Sequence, residues 1–149
     1  ERFPEVKKFS VVMSRNKKLM QWMKNSIPNH TLVVNAIKDT IPSLIQSYAG
    51  GIALLTSRYE GFSLSLIEAM SQGLVPISFP VGVAPEIIRN GENGFIANTV
   101  EEAEEKIKLL LSNTALRHRL ASAAKETTKQ FRSDTMIEKT ILSYNKILK

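Results

Sequence analysis

Two carboxylates, Glu60 and Glu68, stand with seven residues between them in the stretch Ser57-Arg58-Tyr59-Glu60-Gly61-Phe62-Ser63-Leu64-Ser65-Leu66-Ile67-Glu68-Ala69-Met70. The stretch leaves an apolar run, crosses a short polar loop with a glycine, and enters a helical pattern. A carboxylate accepts hydrogen bonds from a vicinal diol well, because each oxygen takes one hydroxyl. A helix N-terminus offers unpaired N–H groups and the positive end of the helix dipole, which suits phosphate. A glycine ahead of the helix lets the backbone approach a ligand closely. All three parts occur here in order: Glu60 in the loop, Gly61-Phe62-Ser63-Leu64 at the helix start, and Glu68 one to two turns further on. A ligand lying across the junction would meet Glu60 with sugar hydroxyls, the loop amides with a diphosphate, and Glu68 with ribose hydroxyls.

Plainer roles compete for the same residues. Glu68 follows Ser65 by three positions, the spacing of a capping box. A loop glutamate such as Glu60 is ordinarily just solvated, and an exposed pair between Arg58 and a carboxylate would contribute little. Glu86 reads as a helix-start or surface residue, His30 and His118 as surface residues, and Trp22 and the methionines at helical spacing as core. Pattern alone leaves both readings of the Glu60–Glu68 stretch open.

The elements around it alternate. Phe9 to Ser14 reads as a buried strand, and Asn16 caps a helix with Leu19, Met20, Trp22 and Met23 as its apolar positions. Pro28-Asn29 breaks that helix. Thr31 to Asn35 is a β-branched strand. Asp39 or Thr40 caps a helix with Pro42 in its first turn and Leu44, Ile45 and Tyr48 inward, ended by Gly50-Gly51. Ile52 to Thr56 is almost uniformly apolar, which predicts burial on both faces, as in a helix-covered parallel sheet. The helix after Glu60 runs to Gly73, and Val75 to Phe79 is the fourth strand. A short helix over Ala84 to Arg89 and the turn-rich Asn90-Gly91-Glu92-Asn93-Gly94 precede a short edge strand at Phe95 to Ala97.

From Thr99 the chain is helical. Glu101, Glu102, Glu104 and Glu105 crowd the N-terminal turns of one helix, with Ala103, Ile107, Leu110 and Leu111 inward. Thr114 caps the next, with Leu116, Leu120, Ala123 and Ala124 inward, and Ser133 or Asp134 caps the last, with Ile137, Ile141, Tyr144 and Leu148 on one face. This order predicts an α/β fold, a Rossmann-like doubly wound parallel sheet followed by C-terminal helices. Ligands of such sheets bind at the carboxyl ends of the strands, and the Glu60 stretch begins at such an end. No repeat, linker or internal boundary is visible, so residues 1–149 read as a single domain.

With 149 residues, 43% of them apolar and 23% charged, the chain has the composition of an ordinary globular domain. It has no cysteine and two histidines far apart in sequence, which excludes thiolate metal sites and disulfides and disfavours an imidazole site; no metal is expected. The net charge of +6 is scattered. No aromatic residues are interleaved with the basic ones, so nucleic acid is not an expected partner. GxGxxG, GxxxxGK[ST] and GxSxG patterns are missing, against a dinucleotide fingerprint, a P-loop or a nucleophile elbow. No run approaches the ~20 apolar residues of a membrane span, and the first residues lack a secretory apolar region; the lack of cysteine fits a cytoplasmic setting.

The ordered set Ser57-Arg58-Tyr59-Glu60-Gly61-Phe62, Glu68-Ala69-Met70, Gly73 and Pro76 closely resembles the signature of the retaining GT-B glycosyltransferases related to sucrose synthases and bacterial mannosyl- and glucosyltransferases. Ile52 to Ser57, Gly82 to Ile88 and Asn90 to Gly94 match it on either side. The resemblance runs from about residue 9 to the end of the chain, and the family's E-x7-E element falls on Glu60 and Glu68.

What the resemblance implies is specific. The chain would be the C-terminal, donor-binding half of a GT-B fold, taking a UDP- or GDP-sugar and no further cofactor. Glu60, Gly61, Phe62, Ser63 and Leu64 would contact donor sugar and phosphate, Glu68 would hold the ribose, and Glu60 is the catalytic candidate. The family's diphosphate-neutralising Gly-Arg step and Lys fit poorly on Ser14-Arg15 and Lys17 or Lys18, which stand one strand–helix unit too close to Ser57. They are therefore expected upstream of Glu1, together with the acceptor domain, so that the fragment alone would transfer nothing. Gly50-Gly51 replaces the family's Ala-Asp, and Ser63 stands where glycine or proline is common. The family's lipid-linked acceptors leave room for peripheral association with the inner face of a membrane, supported in the sequence only by scattered Lys and Arg. A non-catalytic flavodoxin-like binding domain of the same architecture is the alternative.

Overall fold

The computed structural model describes residues 3–12, 16–27, 29–34 and 40–148. Arg15 as a phosphate candidate, Pro28 as a helix breaker, Asp39 as a cap and the His30 side chain lie outside what it describes. The chain forms two compact units, Glu1–Ser43 and Leu44–Lys149.

In the first unit, β1 (Lys8–Val12) pairs in parallel with β2 (His30–Val34), Lys8 opposite His30 and Val12 opposite Val34. The helix between them, α1 (Lys17–Ser26), is capped as its sequence predicts, Asn16 Oδ1 accepting from Leu19 N–H at 3.0 Å. Trp22, expected in the core, is 59% exposed, and α1 buries no residue fully. Met20, Met23 and Ile27 recur at helical spacing and are half-buried, whereas Trp22 lies about 100° round the helix from Met23 and misses that face.

The second unit holds the Glu60–Glu68 stretch. The short α2 (Ile41–Gln46) leads into it, with Leu44, Ile45 and Tyr48 half-buried as expected. A three-stranded parallel sheet follows in the order β3-β4-β5, formed by β3 (Ile52–Leu55), β4 (Val75–Ser78) and β5 (Phe95–Ile96). Uniform burial belongs to the central β4, all of whose residues are buried, rather than to β3. Leu54 stands opposite the buried Ile77 in the ladder yet is 49% exposed. The helices α5 (Val100–Ser112) and α6 (Thr114–Thr127) pack over β4.

Two apolar clusters hold this unit together. One joins Val75, Ile77, Phe95 and Ala97 to Ala103 and Leu110 of α5 and Leu120 and Ala121 of α6. The other joins Leu66 and Met70 of α3 (Leu64–Ser71), Val83, Ala84, Ile87 and Ile88 in and around α4 (Ala84–Ile87), and Ala124 of α6. Each fully buried Leu, Ile or Met contributes about 1.5–3 kcal/mol by leaving water, so the clusters fix where α3 begins.

Several caps differ from expectation. Asn113, not Thr114, caps α6, its Oδ1 accepting from Leu116 N–H at 2.9 Å. Thr99 caps α5, with Glu101 and Glu102 in its first turn, but Leu111 is 37% exposed. The last helix, α7 (Ser133–Ile147), starts after Arg132 with no side-chain cap and buries none of its residues. Its face of Ile137, Ile141, Tyr144 and Leu148 exists as expected but is turned to solvent, between 53% and 82% exposed. Among the described residues, no helix is long and apolar enough to cross a membrane.

Candidate functional site

The site starts where β3 ends. The loop from Thr56 to Ser63 carries the chain from the carboxyl end of that strand to α3, the place where open parallel sheets bind ligands. Glu60 is half-buried, and its Oε1 accepts a hydrogen bond from Ser57 Oγ at 2.7 Å. That bond fixes one carboxylate oxygen and leaves acceptor capacity on the other. Sequence reasoning included Ser57 in the motif without giving it this task.

Gly82 explains how the loop is held. Its φ is +54°, and a Cβ there would sit 3.0 Å from Glu60 Cβ and 3.1 Å from the Phe62 carbonyl oxygen. Only a residue without a side chain lets the loop after β4 press this closely on the Glu60 loop. The next residue completes the contact, Val83 N–H donating to Phe62 O at 3.2 Å. The sequence marked Gly82-Val83 as a flank of the motif; the fold makes it the floor beneath the motif. By contrast, nothing lies within 4 Å of the position a Cβ would take on Gly61, so the backbone is open on that side.

At the helix start, Ser63 is the N-cap residue, with φ 74° and ψ 65°, the left-handed region. Its side chain makes no capping hydrogen bond, and its buried Oγ is without a partner among the described residues. The first N–H groups of α3, at Leu64 and Ser65, are those a helix leaves without intrahelical acceptors. They form, with the dipole end, a place for an anion.

The capping-box alternative for Glu68 is not realised, because the cap is Ser63 and Ser65 already lies inside α3. Glu68 is exposed, and its carboxylate has no partner among the described residues. It is free to accept hydroxyls from a ligand. Phe62 is 45% exposed and Leu64 67%. The structure thus brings Glu60, Gly61, Phe62, Ser63, Leu64 and Glu68 together along one loop-to-helix path.

The plainer readings elsewhere hold. Glu86 is exposed in the first turn of α4. His118 is exposed, with its ring beside Gly50. Asn93, which the sequence marked only as a turn residue, is 2% exposed and ties the segment after α4 together. Its Nδ2 donates to Ile87 O at 2.8 Å and to Thr127 Oγ1 at 3.0 Å, and its Oδ1 accepts from Arg89 N–H at 2.7 Å. No group of three or more metal-ligating side chains occurs among the described residues.

Beside the loop runs an apolar groove of about 760 Å³, whose walls include Phe62, Leu64, Phe131, Met136, Tyr144 and Ile147. Phe131 belongs to the 3-10 turn between α6 and α7 and meets Phe62 edge to face, the ring centroids 6.0 Å apart. Sequence reasoning gave no sign of this contact, because its partners lie far apart in the chain.

The chain is 28% identical over 134 residues to the N-acetyl-alpha-D-glucosaminyl L-malate synthase of Bacillus anthracis, covering 88% of this chain and 35% of that protein. The crystal structure of a glycosyltransferase from Rickettsia africae superposes with a TM-score of 0.74 at 25% identity, over 95% of this chain and 40% of that one. The Anabaena HepE structure in complex with UDP-glucose shares the fold, with a TM-score of 0.72 at 21% identity, over 96% of this chain and 41% of that one. The chain thus spans about two fifths or less of these proteins. The family model for glycosyl transferases group 1 matches residues 13–127. That match takes in β3, the Glu60 loop, α3 and the Gly82 floor, and the chain belongs to the glycosyl transferases group 1 family.

Proposed function

We propose that this chain is the donor-binding domain of a retaining GT-B glycosyltransferase. The observation that carries the reading is the run from the Glu60 loop through the open Gly61 backbone and the uncapped start of α3 to the unpartnered Glu68 carboxylate. Glu60 faces the donor sugar and is the candidate for a role in the chemistry. The amides of Phe62, Ser63 and Leu64 face the diphosphate, whose negative charge the α3 dipole stabilises. Glu68 takes the ribose hydroxyls. The HepE complexes with UDP and with UDP-glucose, on the same fold, support a nucleotide sugar as the ligand. Membership of the glycosyltransferase family removes the support for a flavodoxin-like regulatory domain.

In GT-B enzymes the donor lies between two domains, and the acceptor domain is the part we place outside this chain. The exposed apolar face of α7 is the surface that domain would cover. The isolated chain then binds donor weakly and transfers no sugar, while the whole enzyme transfers it with retained anomeric configuration.

Calorimetric titration of the chain and of the whole enzyme with UDP and GDP tests this reading. Glu68→Ala removes one charge-assisted acceptor and should weaken binding by roughly 1–3 kcal/mol. The melting temperature should not change, since Glu68 is exposed. No binding of either nucleotide by the whole enzyme rejects the reading, and NMR of the product's anomeric centre decides retention.

A further inference from the structure

The start of α3 lacks the restraint that usually fixes a helix entrance. Its N-cap residue, Ser63, makes no side-chain cap hydrogen bond. The position of Gly61 to Leu64 therefore rests on contacts from outside the loop. One is the backbone floor at Gly82 and Val83, which grips Glu60 and the Phe62 carbonyl. The other reaches the Phe62 side chain: the ring of Phe131, 6.0 Å away with the ring planes at 70°. Phe131 is itself anchored, packing against the cluster of Leu66, Met70, Val83, Ala84, Ile87, Ile88 and Ala124. It extends the rigid core to a half-exposed loop ring that otherwise faces an open groove.

We infer that Phe131 is a positioning residue for donor binding, holding Phe62 so that the backbone N–H groups at the start of α3 stay where a nucleoside diphosphate meets them. This rests on the donor-binding reading above. Phe131 touches no ligand in this account. It acts through Phe62, and it restrains the loop's side-chain face as Gly82 and Val83 restrain its backbone face.

The test uses the whole enzyme that contains this chain, with UDP as the probe. Phe131→Ala removes the ring, and Phe131→Tyr keeps it. Backbone ¹⁵N order parameters at Gly61 to Leu64 should fall from about 0.85 toward about 0.6 in Phe131→Ala, while those of Val75 to Ser78 stay at the wild-type level. UDP should bind roughly two- to tenfold more weakly, and Phe131→Tyr should restore both. A general loss of stability would not loosen the loop selectively, so a change shared equally with β4, or none in the loop, overturns the inference. A loosened loop with unchanged UDP affinity overturns its link to donor binding. A wild-type whole enzyme that takes up neither UDP nor GDP defeats the donor reading itself, and the order parameters then still decide whether Phe131 holds the loop.

Discussion

Replacing Ser63 with glycine should make this protein more stable, although glycine usually destabilises a helix interior. Ser63 has φ 74° and ψ 65°, a region in which a side chain crowds the following carbonyl. Occupying that region costs a non-glycine residue roughly 1–2 kcal/mol, with a short polar side chain at the low end. The serine is 6% exposed, and its Oγ finds no hydrogen-bond partner among the described residues. An orphaned buried hydroxyl costs about 1–3 kcal/mol. Against these stands the greater freedom of glycine in the unfolded chain, about 0.4–1 kcal/mol. The balance favours Ser63→Gly by about 1–3.5 kcal/mol, which for a chain of this size raises the melting temperature by roughly 2–14 °C. Ser63→Ala separates the two causes, because it keeps the left-handed strain and removes the hydroxyl. Equilibrium urea unfolding followed by far-UV circular dichroism should rank the midpoints as wild type, then Ser63→Ala, then Ser63→Gly. A Ser63→Gly midpoint at or below wild type would refute the reasoning and mean that the hydroxyl has a partner in solution.

Asn93→Ala strips the partners from the Ile87 carbonyl and the Arg89 N–H and should cost about 2–4 kcal/mol in the same unfolding experiment; a loss below about 1 kcal/mol would contradict the clamp. Gly94→Ala places a Cβ 2.5 Å from Pro76 Cγ and 2.8 Å from Pro76 O, so β4 and β5 must part, with a melting temperature lowered by at least several degrees, roughly 1–3 kcal/mol; an unshifted melt would show that the strands give way freely. The Asp134 carboxyl is held below the usual aspartate range, chiefly by its hydrogen bond from Arg132 and then by one from Thr135 N–H. A depressed carboxyl stabilises the fold above its unfolded pKa and loses that contribution as pH falls through the folded value. Acid should therefore fray the start of α7 only below the ordinary aspartate range, and an NMR titration placing Asp134 at or above about 3.9 would contradict this.

Much of the element order was legible because it depends on local chemistry. Asn16 caps its helix with a short polar side chain, Val75 to Phe79 reads as a strand, and Gly73 ends the helix after Glu60 with a positive φ. The errors fall where a neighbour decides. Trp22 and Leu54 carry apolar side chains that no packed element covers fully. Asn113 rather than Thr114 caps α6, because the two differ by one residue in where the first turn closes. The α7 stripe has helical spacing, yet periodicity names a face without naming what it packs on.

The same division runs through the site. The sequence by itself determined which groups are available, two carboxylates, a glycine and a helix entrance, and their order along the ligand path, because all lie within one turn-to-helix segment. It determined the family as well, through motifs of fixed spacing. Only the tertiary structure decided that Glu68 is no cap, that Ser57 holds Glu60, that Ser63 carries a buried hydroxyl in a left-handed turn, and that Gly82 and Phe131 brace the loop. Those outcomes depend on contacts between segments distant in the chain or on the closing geometry of a single turn, and neither follows from local propensity.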